Sequence, residues 1–298
     1  MSIRTGDLAN FNRTVDNMQT VQSRLRYSNL QISTGKSVHR YVEMGADAGV
    51  LVRTEAALTQ TRTFKDQNEL LVKRLNLMDG AMAEMKDIAS SLQTKLIARR
   101  SDASGDMTQL GLDAAGMMQQ LAGKLNMQID GRFVFAGSRT DAPPVDAALV
   151  TEDPNNRDYY RGDDVPLTER IDTSVEADYG VRANEQAFAE LFAALQTAID
   201  ADAADDDVGL QEAADMAGRA LDGLITRRGQ LDTVMARVEG VMESQTGTVL
   251  YLQETVSHLT DTDVPTTMAR IAQDRVSLEG SFAMMSQLNR LSLTEYLR

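Results

Sequence analysis

The chain contains no cysteine and no tryptophan, and among its 298 residues only five are proline, seven tyrosine and seven phenylalanine. Without cysteine there can be no disulfide, no thiol nucleophile and no cysteine-ligated metal, and nothing is said about redox compartment. So few aromatics, set against abundant Ala, Leu, Met, Gln and Arg, favour helix over sheet. Pro143, Pro144, Pro154 and Pro166 share one short stretch and the fifth proline is Pro265, so helices elsewhere can run unbroken. The two histidines, His39 and His258, lack a second ligand at helical spacing, and no metal or cofactor is expected. No apolar run approaches the ~20 residues of a membrane span. The first 30 residues interleave Arg, Asp and Asn with apolar positions, which excludes the apolar core of a cleaved secretory signal.

What is present is a hydrophobic fraction of 42%, enough to bury a real core, and a net charge of −14. Residues 141–222 hold 21 Asp and Glu against 5 Arg, while the rest of the chain sums to +2. Nucleic acid is excluded as a partner because no cationic surface is concentrated anywhere. The acidic stretch reads as a solvated face.

Apolar residues recur at intervals of three and four from Leu8 through Phe11, Val15, Met18, Val21 and Leu25, the stripe of an amphipathic helix that ends at the Ser33-Thr34-Gly35 step. A second helix is expected from about Val50 to Arg100 and a third over 106–129. At Asp130-Gly131 the period changes, and Arg132-Phe133-Val134-Phe135-Ala136 before Gly137 reads as a strand after a turn. Helix returns over 184–199, pauses in the acidic loop 200–207, and resumes from Leu210 to about Leu259. The last helix starts behind Asp263 as N-cap, with Pro265 in its first turn and a stripe of Met268, Ile271, Leu278, Phe282, Met285 and Leu288.

The expected fold is therefore mainly α: an elongated antiparallel helical rod with N- and C-terminal helices paired in coiled-coil fashion, plus a small β-rich insertion. Its parts are an N-terminal helix (1–35), the first half of a helical rod (36–129), the insertion (130–183), the second half of the rod (184–262) and a C-terminal helix (263–298). A narrow stripe buries one seam only. The terminal helices should then be weakly ordered alone and become helical when neighbouring copies cover their other faces.

Several motifs carry no chemistry. The run Asp200, Asp202, Asp205, Asp206, Asp207 suggests a calcium loop, but Ala204 and Asp205 stand where a ligand and a glycine belong. Paired carboxylates lack an apolar pocket to shift them. Arg161-Gly162-Asp163 reads as a glycine turn, and Asn12-Arg13-Thr14 lies within a helical seam where a glycan would block packing. Met78, Met82 and Met85 at helical spacing read as core. An enzyme is not expected.

Three segments carry a resemblance to the flagellin superfamily and, within it, to the FlgL-type hook-associated proteins of the bacterial hook-filament junction. Leu30-Gln31-Ile32-Ser33-Thr34-Gly35-Lys36-Ser37-Val38 resembles the close of that family's first helix. Asp130 through Ser138, containing Gly131, Phe133, Phe135 and Gly137, is similar to the junction proteins' glycine and aromatic signature, with Tyr159-Tyr160-Arg161-Gly162-Asp163 after it. Leu288-Asn289-Arg290-Leu291-Ser292-Leu293-Thr294-Glu295-Tyr296-Leu297 resembles their closing helix. Val42-Glu43-Met44-Gly45-Ala46-Asp47 departs from the family in lacking a proline turn.

The resemblance implies a structural subunit of the flagellum, an adaptor joining hook-side proteins to the flagellin filament. It implies export without a cleaved signal through the flagellar type III channel, an extracellular location, and an export chaperone on the C-terminal helix. Expected partners are other copies of the chain, the neighbouring hook-associated protein and flagellin. Leu8, Phe11, Val15, Met18 and Leu25, with Met268, Ile271, Leu278, Phe282, Met285 and Leu291, are the expected self-assembly residues. A filament-forming flagellin, or a cytoplasmic coiled-coil scaffold or signalling protein, are the alternatives the residues leave open.

Overall fold

The computed structural model describes residues 2–38, 41–101 and 109–296. Six helices account for most of it: α1 (Ser2–Thr34), α2 (Asp47–Ser101), α3 (Leu110–Leu125), α4 (Gln186–Ala204), α5 (Asp207–Thr260) and α6 (Val264–Tyr296). Two antiparallel hairpins lie between α3 and α4, β1 (Gln128–Ile129) with β2 (Arg132–Phe133) and β3 (Thr168–Asp172) with β4 (Val175–Asp178). The chain is mainly α with a small β insertion, as expected. It divides into two compact units, residues 1–59 with 249–298 and residues 60–248.

In the second unit the core follows from sequence spacing. On α2 the buried residues Leu71, Leu75, Met78, Met82, Met85, Ala89, Leu92 and Leu96 alternate steps of four and three, a 3.5-residue repeat that keeps one seam on one side of a long helix. The three methionines are fully buried there. On α5 a row of Leu210, Ala217, Leu224, Leu231 and Val238 recurs every seven residues and ends on buried Gln245. That last step is polar for a reason. Asn68 Nδ2 on α2 donates to the Gln245 amide oxygen at 3.1 Å, and both side chains donate to the Ile171 carbonyl of β3 at 2.9 Å. A buried amide pair thus ties the insertion to both long helices without leaving that carbonyl bare. Bidentate Arg228–Asp79, at 2.8 and 2.9 Å, adds a second α5–α2 tie.

The insertion departs from the expected strand. Only Arg132–Phe133 pairs as β, around a turn in which Asp130 (φ 53°) and Gly131 (φ 75°) both take left-handed backbone, as a two-residue type I′ hairpin requires. Beyond it, Val134 N–H reaches the Met127 carbonyl, the Phe135 carbonyl accepts from Ala183 and the Ala136 carbonyl from Asp163. Val134 still follows the hairpin register, but Phe135 and Ala136 bond to two other segments, so the ladder goes no further. Phe135 is fully buried, edge-on to Phe188 with centroids 6.4 Å apart. Tyr159 stacks obliquely on Phe192 at 4.9 Å, and its hydroxyl donates to the Ala183 carbonyl. Burial pushes its pKa above the usual tyrosine range.

The acidic pause is also shorter than expected. Helix α4 continues to Ala204 and only Asp205 and Asp206 interrupt the run. Asp205 ends α4 in the left-handed conformation (φ 51°), and the Asp206 carboxylate accepts from Val208 N–H at 3.0 Å at the start of α5. Asp202 stays helical because Arg99 (3.1 Å) and the Gly111 N–H (2.9 Å) hold its two oxygens. Helix α3 begins at Leu110, and the expected start at 106 falls within residues 102–108, which lie outside the described residues.

Replacing Phe135 by Ala should destabilise this unit by roughly 3–5 kcal/mol, the usual range for truncating a buried phenylalanine. Urea denaturation followed by circular dichroism checks it.

Candidate assembly interface

Helices α1 and α6 pack against each other. Their direction follows from two pairs: Lys36 lies beside Asp261 and Arg24 beside Asp274, so moving back along α1 moves forward along α6 and the helices are antiparallel. On α6 the residues withdrawn from solvent are Thr267, Ile271, Asp274, Leu278, Ser281 and Met285, steps of four and three that make two rows. One row, Ile271, Leu278 and Met285, is apolar; the other, Thr267, Asp274 and Ser281, is polar. On α1 the withdrawn residues include Phe11, Thr14, Val15, Met18, Val21, Leu25, Ser28 and Ile32, where again one row (Phe11, Met18, Leu25, Ile32) is wholly apolar.

Seven of the sequence-derived assembly residues, Phe11, Val15, Met18, Leu25, Ile271, Leu278 and Met285, therefore sit in the intramolecular seam. Met268 and Phe282 do not: they flank it, 56% and 52% exposed. The side chains of Leu8 and Leu291, and His39 as a whole, lie outside the described residues. Val276 (68%) and Met284 (65%) extend the uncovered apolar surface of α6.

Where the two helices begin and end, a clasp holds them. Gly35 closes α1 at φ 71°, a conformation glycine takes without steric cost. The next residues turn back along the α5–α6 junction: Ser37 N–H donates to the Thr260 carbonyl at 2.7 Å and Thr262 N–H to the Gly35 carbonyl at 2.8 Å. Lys36 Nζ donates to Asp261 (2.6 Å) and to the Thr260 hydroxyl (2.9 Å). From inside α1, Gln31 Nε2 and the Tyr27 hydroxyl both donate to the Ser37 carbonyl. Asp263 then caps α6, accepting from the Thr266 N–H and hydroxyl. Nothing in a periodicity search points to this clasp. Its only sequence signal is the glycine and the Asp-Thr-Asp triplet.

The signature residues of the insertion serve the fold. Gly131 supplies the hairpin turn, Phe133 and Phe135 are buried, and a side chain at Gly137 (φ 70°) would collide with Asp163. Asp163 itself accepts from Ser138 N–H and hydroxyl at 2.8 and 2.6 Å and from Val165 N–H. Those bonds, the Ser138 hydroxyl first, hold its carboxyl below the usual range. The Arg161-Gly162-Asp163 tripeptide is thus a structural turn. His258 is exposed, 3.7 Å from Glu254 one turn earlier. Among the described residues no group of three or more His, Cys, Asp or Glu is placed to hold a metal, and no helix is long and apolar enough to cross a membrane.

Comparison with known proteins aligns with this geometry. Residues 7–140 match the bacterial flagellin N-terminal helical region and residues 214–297 the bacterial flagellin C-terminal helical region. The chain is 21% identical over 297 residues to flagellar hook-associated protein 3 of Salmonella typhimurium, covering 90% of this chain and 91% of that protein. It is 22% identical over 292 residues to flagellar hook-associated protein 3 of Escherichia coli, covering 88% and 90%. In fold it is similar to Bacillus cereus FlgL (TM-score 0.57, 14% identity, 70% of this chain and 98% of that one). It is also similar to a structure described as a putative flagellar hook-associated protein from Vibrio parahaemolyticus (TM-score 0.52, 11% identity, 72% and 97%).

The hydrogen bonds from Lys36 first, and Ser257 next, draw the Asp261 pKa from 3.8 down to about 2. Because the folded value lies below the unfolded one, the clasp's contribution is complete above about pH 4 and is lost as pH falls through about 2. Carboxyl titration by NMR should place the Asp261 midpoint near 2 in the native chain and nearer the ordinary aspartate value in Lys36→Met.

Proposed function

The chain belongs to the bacterial flagellin family, and from that premise we propose that it is a structural subunit of the flagellum, joining hook-side proteins to the flagellin filament by assembly through its terminal helices. The observation that carries this reading is the split use of α6: one face seals an intramolecular seam with α1 while Met268, Val276, Phe282 and Met284 remain uncovered. Exposed apolar residues at that density along one helix are a surface for a partner. In a ring or tube of repeated subunits the partner is another copy or the adjoining flagellar protein. The extensive coverage of the hook-associated relatives, 90% and 88% of this chain, supports the junction over a filament-forming flagellin. A cytoplasmic scaffold has no observation in its favour.

The role is mechanical. Of the carboxylates that the sequence singles out, Asp202 and Asp205 pair with Arg99 and Asp163 is held by its turn; Asp79 pairs likewise with Arg228. The acidic segment 141–222 belongs to the second unit and the α1–α6 seam to the first, so subunits that meet through the near-neutral terminal helices are spared like-charge repulsion at every repeat. Export without a cleaved signal, an extracellular position and a chaperone shielding α6 before assembly belong to the same proposal. A chaperone would have the same uncovered apolar side chains to hold.

Phe282→Ala tests it. Because Phe282 is half exposed in the single chain, the variant should unfold at the same urea concentration as the native protein. If a neighbour buries that ring in the assembly, truncation should cost ~3 kcal/mol or more per contact set there. Electron microscopy of cells carrying the variant should show fewer filaments on hooks, and deletion of the gene should leave bare hooks. Normal filaments in both would sink the reading.

A further inference from the structure

Among the described residues the α1–α6 seam buries one charged side chain, and its chemistry sets it apart. Asp274 is 3% exposed at the side chain. One carboxylate oxygen accepts from Arg24 at 2.5 Å, while the other is buried without a hydrogen-bond partner. Arg24 reaches in from outside, its own side chain 57% exposed. A half-satisfied buried carboxylate is a poor source of stability, because desolvation of the charge offsets much of the attraction. An aliphatic residue at this place would pack better with the apolar row beside it.

The apolar rows explain what the carboxylate adds. Phe11, Met18, Leu25 and Ile32 recur every seven residues, as do Ile271, Leu278 and Met285. Two such rows match equally well after sliding by seven, so burial alone cannot distinguish the native alignment from its neighbours. Asp274 can. Sliding the antiparallel pair by one heptad would put it level with Asn17 or Gln31 in place of Arg24, and neither carries charge. Gln31 already donates to the Ser37 carbonyl. The slipped states would bury an unpaired carboxylate.

We propose that Arg24 and Asp274 fix the register of the terminal helix pair, with Asp274 excluding heptad-slipped pairings that the apolar rows would otherwise accept. The inference deepens the assembly reading and rests on it in one respect: a subunit in a repeating array must present Met268 and Phe282 at one fixed height, and a slip of seven residues would move them by about 10 Å relative to α1.

The native absence of cysteine gives a clean background for a direct test. Arg275 is adjacent to Asp274, and Gln22 on α1 lies near that level, whereas Asn29 lies seven residues further along the same side. Paired cysteines at Gln22 and Arg275 report the native register, and cysteines at Asn29 and Arg275 report the slipped one. Both pairs are cross-linked with a short bismaleimide in the purified full-length chain and on isolated hooks. The native background should cross-link mainly through Gln22→Cys. Asp274→Leu, Asp274→Arg and Arg24→Asp should each raise the Asn29→Cys product several-fold. The charge swap Arg24→Asp with Asp274→Arg should restore the native ratio. An unchanged ratio in Asp274→Leu would mean that the clasp alone sets the register, and failure of the swap to restore it would mean that the pair has no specific role; either overturns the proposal, as does a native chain that cross-links equally through both. Absence of the protein from hooks would instead count against the assembly reading, leaving the register result in the purified chain to stand.

Discussion

Everything in this fold depends on a 3.5-residue spacing of side chains that lets very long helices bury a seam against one another. The two compact units use it differently. On α2 both rows are apolar, from Leu71 to Leu96, and α3, α4 and the insertion supply further buried residues, so residues 60–248 have a core of their own. Among the described residues, every second seam position on α6 is polar, and of that unit's large apolar residues only Met18, Leu51, Leu58 and Leu278 fall in the buried class. Burial scales with apolar area removed from water. The first unit therefore gains far less from its internal packing, which leaves its helices apolar surface to offer elsewhere.

Much of the helical framework was legible because its signals are local. Gly35, Asp263 with Pro265, and the four-three spacing marked helix ends and faces to within a few residues. What could not be read arises from partners distant in sequence. The expected strand from Arg132 to Ala136 is halved because its carbonyls are claimed by Ala183 and Asp163, residues that no window around 134 contains. The acidic run looked like a loop because Asp is a poor helix former, and Arg99, about a hundred residues away, is what keeps Asp202 helical. Tertiary pairing overrode propensity there.

The same limit shaped the view of the terminal helices. A search for apolar residues collects Met268 and Phe282 along with Ile271 and Leu278, since all are apolar at helical intervals. It misses Thr267, Asp274 and Ser281, which face α1. Separating the two sets needs the partner helix, because only the partner defines which direction is inward. The clasp of Gly35, Lys36 and Ser37 against Thr260, Asp261 and Thr262 was equally hidden, half of its groups being backbone N–H and C=O that nearly every residue possesses.

The ion pair between Arg24 and Asp274 spans 250 positions of sequence, and the clasp spans nearly as many. Helix α1 is thus synthesised well before α6 and waits for its mate, since the residues that close that seam lie on α6. A chain that stops after α5 retains residues 60–248 of the interior unit yet lacks the paired ends. Closure of the terminal joint thereby reports that both of its halves, some 250 positions apart, are present in one molecule.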